Sequence, residues 1–256
     1  MLSLPPYGRA RPAARRGAVL AAAFALCAVV LWGAGCKNTN FLSTRQEVNI
    51  GRQGAQAIEQ QYPVEEGTPA ARRVERIGQR LLEHSDRREG VPYSFRVIDK
   101  DVVNAVSLPG GPIYVFKGLL DLAGTDEDAL AGVIAHELGH IDARHAAKQM
   151  SQQMAANLGI QLLLKGRTVQ DVASLASDLL GLSYSRDDEY EADSRGLSYA
   201  YRAGYDPRGL LRFFEKLEKR EGQGDGPEFL GTHPVTQKRV DRAQRIIETQ
   251  AYRYGH

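Results

Sequence analysis

The spacing of apolar and polar positions changes period twice along the chain. From Ser43 to Tyr62 (STRQEVNIGRQGAQAIEQQY) apolar residues recur at helical intervals. Ser43 or Thr44 is the expected cap there, with Val48, Ile50, Ala55 and Ile58 as the expected buried positions. A second helix is expected from about Pro69 to His84, with Val74, Ile77, Leu81 and Leu82 turned inward. The segment YSFRVID (93–99) then alternates as a strand does, and DVVNAVSLPGGPIYVFKG (101–118) reads as two further short strands around Pro109-Gly110-Gly111. From Leu119 onward the pattern is helical again. Helices segregated from a few strands predict an α+β fold: a mainly helical domain with a small sheet.

Among the later helices, one carries HELGHIDARH (136–145). Thr125 is its expected cap, Asp128 follows three residues later, and Asp126 and Glu127 make the first turn acidic. Leu130, Val133, Ile134, Leu138 and Ile141 give it an apolar surface, so the motif belongs to a core helix and not to a loop. Residues 156–182 are apolar and helical in pattern, broken near Gly166, and read as packing helices. In SYSRDDEYEADSRG (183–196), Ser185 is the expected cap and Asp187 and Asp188 suit the first turn.

The N-terminus stands apart. Arg9, Arg11, Arg15 and Arg16 precede the run GAVLAAAFALCAVVLW, and GAGC ends at Cys36. This layout predicts an export signal over residues 1–36, with Cys36 acylated as in bacterial lipoproteins. An uncleaved anchor over the 20 uncharged residues Gly17–Cys36 and ordinary signal cleavage are the alternatives. All three place the remainder outside the cytoplasm, as a tether over 37–43 and one domain over 44–256. With Lys37 and not an aspartate after the cysteine, the expected anchorage is the outer membrane. Both cysteines, Cys27 and Cys36, lie in this segment, so the body has neither a disulfide nor a cysteine-held metal. The net charge of +2, with no basic array elsewhere, gives no support for nucleic-acid binding, and no repeat of solenoid spacing is present.

The chemistry starts from spacing. His136 and His140 lie four apart, on one helical face, and can address one ion. Glu137 sits about 100° round the helix, placed to reach a water on the metal without being a ligand. His145 is nine residues past His136. On a continuous helix that is about 180° away, and Ala143 stands where a chain-reversing glycine would be needed, so His145 is expected to support the site with Arg144. A third ligand must come from elsewhere. Glu189, with Asp193 one turn on to accept the free N–H of a ligand histidine, suits that role, while Glu191 points the other way. An acidic solvated helix face explains the same residues equally well.

HELGHxxxRH followed about fifty residues later by SRxxEYEADxxG resembles the zinc metallopeptidase family of HtpX and the CAAX prenyl endoproteases. The likeness extends over most of 43–250, through NAVSLPGGPIYVFKGLL and THPVTQKRV. It implies one Zn2+ per chain, held by His136, His140 and Glu189, with Glu137 as the catalytic residue. It also matches His233 and Arg239 to the family's HPxxxxR. These two are the expected donors to the carbonyl oxygen, His233 alternatively being a resting-state ligand. Integral members carry several membrane helices, and no such segment follows Cys36, so the chain is similar to the soluble, exported branch without its helical-repeat extension. An exposed edge strand in NAVSLPGG, at Asn104, Ala105 and Val106, is expected to receive an extended substrate. The expected activity is endopeptidase cleavage of misfolded or unassembled envelope proteins. The rivals are a catalytically quiet, zinc-stabilised envelope chaperone and a hydrolase of non-peptide substrates.

Overall fold

The computed structural model describes residues 40–153, 179–222 and 227–254. The expected export segment and most of the apolar stretch 156–182 lie outside the described residues. In chain order the elements are α1 (Thr44–Gln61), β1 (Val64–Glu65), α2 (Pro69–Leu82), β2 (Ser94–Ile98), β3 (Ala105–Ser107), β4 (Pro112–Phe116), α3 (Lys117–Ala123), α4 (Glu127–Asp142), α5 (Arg186–Arg202), α6 (Arg208–Glu221), α7 (Glu228–Thr232) and α8 (Gln237–Tyr254). Helices and a four-stranded sheet make the expected α+β fold. The sheet order is β1-β2-β4-β3, with β2 and β4 parallel and the outer pairs antiparallel. β3 therefore ends the sheet, beside α4, but Asn104, Ala105, Val106 and Ser107 are all buried, so it is an edge by hydrogen bonding and not the exposed strand that was expected. No helix among the described residues is long and apolar enough to cross a membrane.

The motif helix is the centre of the packing. Every residue of α4 from Ala129 to Asp142 is buried, with α5 and α6 as its main helical neighbours. α5 crosses so closely that a Cβ on Gly139 would lie 2.7 Å from the Ala192 carbonyl oxygen. That approach brings the acidic helix against the histidine face.

Local chemistry departs from the sequence expectations in three places. α4 is capped by Asp126 and not by Thr125: its carboxylate accepts from the Ala129 N–H at 3.0 Å. The buried face of α1 runs through Glu47, Gly51, Gly54, Ala57 and Ile58; of the four expected positions only Ile58 is buried. A Cβ on Gly51 would lie 1.9 Å from the Pro109 carbonyl oxygen, so the helix packs by its glycines against the β3–β4 turn. Glu47 is admitted to this face because Arg87 (2.9 Å) and Arg144 pair with it. The third departure is the end of α4. The helix stops at Asp142, Ala143 is its C-cap, and Arg144 takes a left-handed φ of 61°. Helical residues resume at 145, so the continuous helix assumed for His145 does not exist.

Residues 40–43 join the body. Leu42 is buried, and the Phe41 N–H donates to Ser151 Oγ at 3.0 Å. Ser43 closes a capping box with Gln46 on α1.

Candidate metal centre

Four side chains converge at the packed junction of α4 and α5. His136 and His140 present Nε2 atoms 3.0 Å apart. Glu189 places Oε1 3.4 Å from His140 Nε2 and Oε2 3.5 Å from His136 Nε2. His233, the C-cap of α7, brings Nδ1 to 3.2 Å from His136 Nε2 and 3.0 Å from Glu189 Oε1. Donors around a tetrahedral ion with bonds of about 2.0–2.1 Å stand roughly 3.3 Å apart, so the set has the spacing of a metal site. All four residues are buried.

The local sequence explains why each arrives there. Ser185 and Asp188 form the capping box of α5, which fixes the start of the helix at Arg186, three residues before Glu189. α7 is tied to the segment leading into β3 by a 3.0 Å bond from the Phe229 N–H to the Val103 carbonyl. The Phe229 ring stacks on His233, with centroids 4.8 Å apart. Asp193 places its Oδ1 2.9 Å from His136 Nδ1, on the nitrogen turned away from the other donors.

Arg239 differs from its expected role as a donor to a substrate carbonyl. Its Nε and Nη2 each lie 2.8 Å from the Asp193 carboxylate. Its Nη1 lies 2.5 Å from Glu189 Oε2 and 3.0 Å from the Pro234 carbonyl. Buried behind the donor set, this guanidinium grips two carboxylates and presents no nitrogen free of them. His145 supports the site, as expected, but by a route the helix geometry had ruled out. The turn at Arg144 returns it to His140, Nδ1 to Nδ1 at 2.9 Å. With Nε2 of His140 facing the centre, its Nδ1–H donates to His145, whose own Nε2–H faces Asp188 at 3.3 Å and Glu191 at 3.5 Å.

Glu137 lies beside the donors without joining them. Its Oε2 accepts from Ser107 Oγ at 2.7 Å, and its Oε1 is 3.4 Å from His233 Nε2. Two contacts were missed by reasoning from sequence. Ser107 is the polar last residue of the short strand β3, 30 residues from Glu137. Tyr184 stacks on His140 with centroids 4.0 Å apart, and burial pushes its phenol up. No spacing rule links either residue to the motif.

The electrostatics suit a cation. Burial opposes charge on His136, yet Glu189 and Asp193 outweigh it and raise the imidazole to about 9. Burial dominates at His140 and pushes it well below the ordinary value. Glu189 is held far below the carboxylate range, because His233 and His136 overcome its burial. Ionised Glu189 and neutral His140 are already in the states that metal ligation requires, whereas His136 gives up a proton when it binds an ion.

Fold and site together define a metallopeptidase built on HExxH with a glutamate from a following helix. The chain belongs to peptidase family M48, whose family model matches residues 69–247. It is 40% identical over 152 residues to the mitochondrial metalloendopeptidase OMA1 of Arabidopsis thaliana, covering 59% of this chain and 31% of that protein. It is 29% identical over 238 residues to the beta-barrel assembly-enhancing protease of Escherichia coli, covering 88% and 48%. It is 28% identical over 237 residues to the metalloprotease YcaL of Escherichia coli, covering 83% and 90%. The chain thus spans half or less of the length of the first two relatives and most of the third.

Proposed function

We propose that this chain is a zinc-dependent endopeptidase acting on extended segments of misfolded or unassembled cell-envelope proteins. The observation that carries the reading is Glu137: a buried carboxylate beside four metal-type donors that is not one of them. A closed structural site has no use for such a group. Zinc on His136, His140 and Glu189 would supply Lewis acidity toward a peptide carbonyl and acidify the attacking water. Glu137 takes the proton of that water and returns it to the leaving amine. Asp193 holds His136 by its Nδ1–H, and Arg239 holds Asp193 and Glu189 in turn.

An extended substrate adds to β3. The bonds Phe116 N–H to the Asn104 carbonyl and Leu108 N–H to the Pro112 carbonyl fix the parity of the β3–β4 ladder. Asn104 and Val106 thereby spend their main-chain groups on β4, and Ala105 and Ser107 turn theirs outward. Strand addition therefore uses Ala105 and Ser107, one residue on from the positions expected at the outset. His233 Nδ1 supports a resting state in which this residue closes the position that water needs. The arginine-rich start, apolar run and Cys36 support export and an acylated anchor, with Lys37 favouring the outer membrane. The beta-barrel assembly named for one relative supports the substrate class.

Purified residues 37–256, with bound zinc measured, test this by casein cleavage in the parent and in Glu137→Gln. Zinc retained with cleavage lost about 10²–10⁴-fold is the expected result. A second reading, a zinc-stabilised binding module without activity, is favoured by the four-donor closure and gives nil activity in both proteins. Equal activity in the two, nil included, overturns the peptidase.

A further inference from the structure

We propose that Ser107 is a positioning residue for Glu137, joining the strand that receives substrate to the group that moves the proton. This rests on the reading of Glu137 as the base. The two oxygens of Glu137 have different surroundings. Oε2 accepts a 2.7 Å hydrogen bond from Ser107 Oγ, while Oε1 faces His233 Nε2 at 3.4 Å. A 2.7 Å O–H···O bond falls within the range of a charge-assisted bond from a hydroxyl to a carboxylate. Ser107 is 2% exposed and Glu137 0%. A buried oxygen deprived of this donor has no bulk water to replace it.

The consequence is mechanical. A glutamate side chain has three rotatable bonds, and packing on α4 fixes the first ones. The last, which turns the carboxylate about its own axis, is broad and weakly held. The Ser107 hydroxyl pins Oε2, so Oε1 remains the oxygen turned to the donor set. Proton transfer needs that atom within hydrogen-bond reach of the water and of the leaving amine in turn.

The position of Ser107 adds the coupling. Its side chain points to α4, while ladder parity turns its own N–H and C=O away from β4, to the edge where a peptide adds. One residue therefore offers main chain to the substrate and side chain to the base. The peptide is registered against the same atom group that sets the carboxylate. Binding energy along the strand is thereby expressed at the reacting centre, the arrangement that raises turnover and not affinity alone.

The test uses the full chain loaded with zinc, as parent, Ser107→Ala, Ser107→Thr and Glu137→Gln, on one extended peptide substrate. Ser107→Ala is expected to keep stoichiometric zinc, the parent Tm and the parent KM, and to lose about tenfold in kcat, within the usual range for such supporting groups. Ser107→Thr, which restores the hydroxyl, is expected to recover kcat. A parental kcat in Ser107→Ala overturns the proposal, as does a loss confined to KM or a loss of bound zinc. Glu137→Gln separates the two levels. If it is inert while Ser107→Ala is fully active, only this inference fails; if Glu137→Gln itself is fully active, the reading of the base fails.

Discussion

Arg239 and His145 show how little of the site's support is written in spacing. Arg239 was placed by its motif near the chemistry, and its chemistry is to neutralise: it faces Asp193 and Glu189, both buried. Arg239→Met keeps the aliphatic stem and leaves two buried carboxylates without their cation. The expected cost is about 3–5 kcal/mol of unfolding free energy, read as a lower denaturant midpoint of the metal-free protein. An unchanged midpoint would show that the pair is not a structural clamp. At the donors, Glu189→Ala should abolish stoichiometric zinc binding, whereas His145→Ala should keep the metal with about 10–100-fold weaker affinity. The reverse order, read by competition with a chelator, refutes the assignment. The residues that spacing alone identified, His136, Glu137 and His140, are those whose geometry one helix decides. For Glu189 spacing offered a ligand or a solvated acidic face, and the resemblance chose between them; Ser107 and Tyr184 came from neither, because contacts across packed elements leave no local period.

At the scale of elements, amphipathic pattern located α2, the three longer strands and α5 with its Ser185 cap. It failed at α1, where the buried face holds two glycines and a paired glutamate that an apolar count reads as solvent side. It missed the end of α4 as well, since nothing in IDARH signals a left-handed Arg144; Glu47 and the Leu42 carbonyl, both distant in sequence, hold that side chain. The start of α4 offers a pH test. Asp126 caps the helix and receives Arg212 Nε at 2.8 Å, and that bond lowers its carboxyl from 3.8 to about 2, against partial burial and with help from the Ala129 N–H. A carboxyl lowered in the folded state stabilises fully above its unfolded value and loses that contribution as pH falls from about 4 through 2. Asp126→Asn retains capping and removes the charge. Its Tm should lie below the parent's at pH 6, and the gap should close by pH 2. A gap that stays constant across that range would place the stabilisation elsewhere.

Across the whole molecule, the segment between α7 and α8 completes the donor set from 97 residues beyond His136. His233→Ala removes the fourth donor and should raise basal cleavage if the resting state is closed; a fall in cleavage overturns the closed state and makes His233 an aid to the reaction. The same long reach joins α1 and the β3–β4 turn, and α5 and α4, around one centre. The chain by itself determined which segments are helix and strand, that two histidines share a helical face, and that a glutamate lies beside them. Those properties follow from periods of two and 3.6 residues, which a few neighbouring side chains set. Tertiary structure alone decided that His233 stands within 3.2 Å of His136 and 3.0 Å of Glu189, that Arg144 turns His145 back to His140, that Arg239 is buried behind two carboxylates, and that Ser107 meets Glu137. Each of these depends on how packed faces meet, which burial and close backbone approach settle between residues far apart in the sequence.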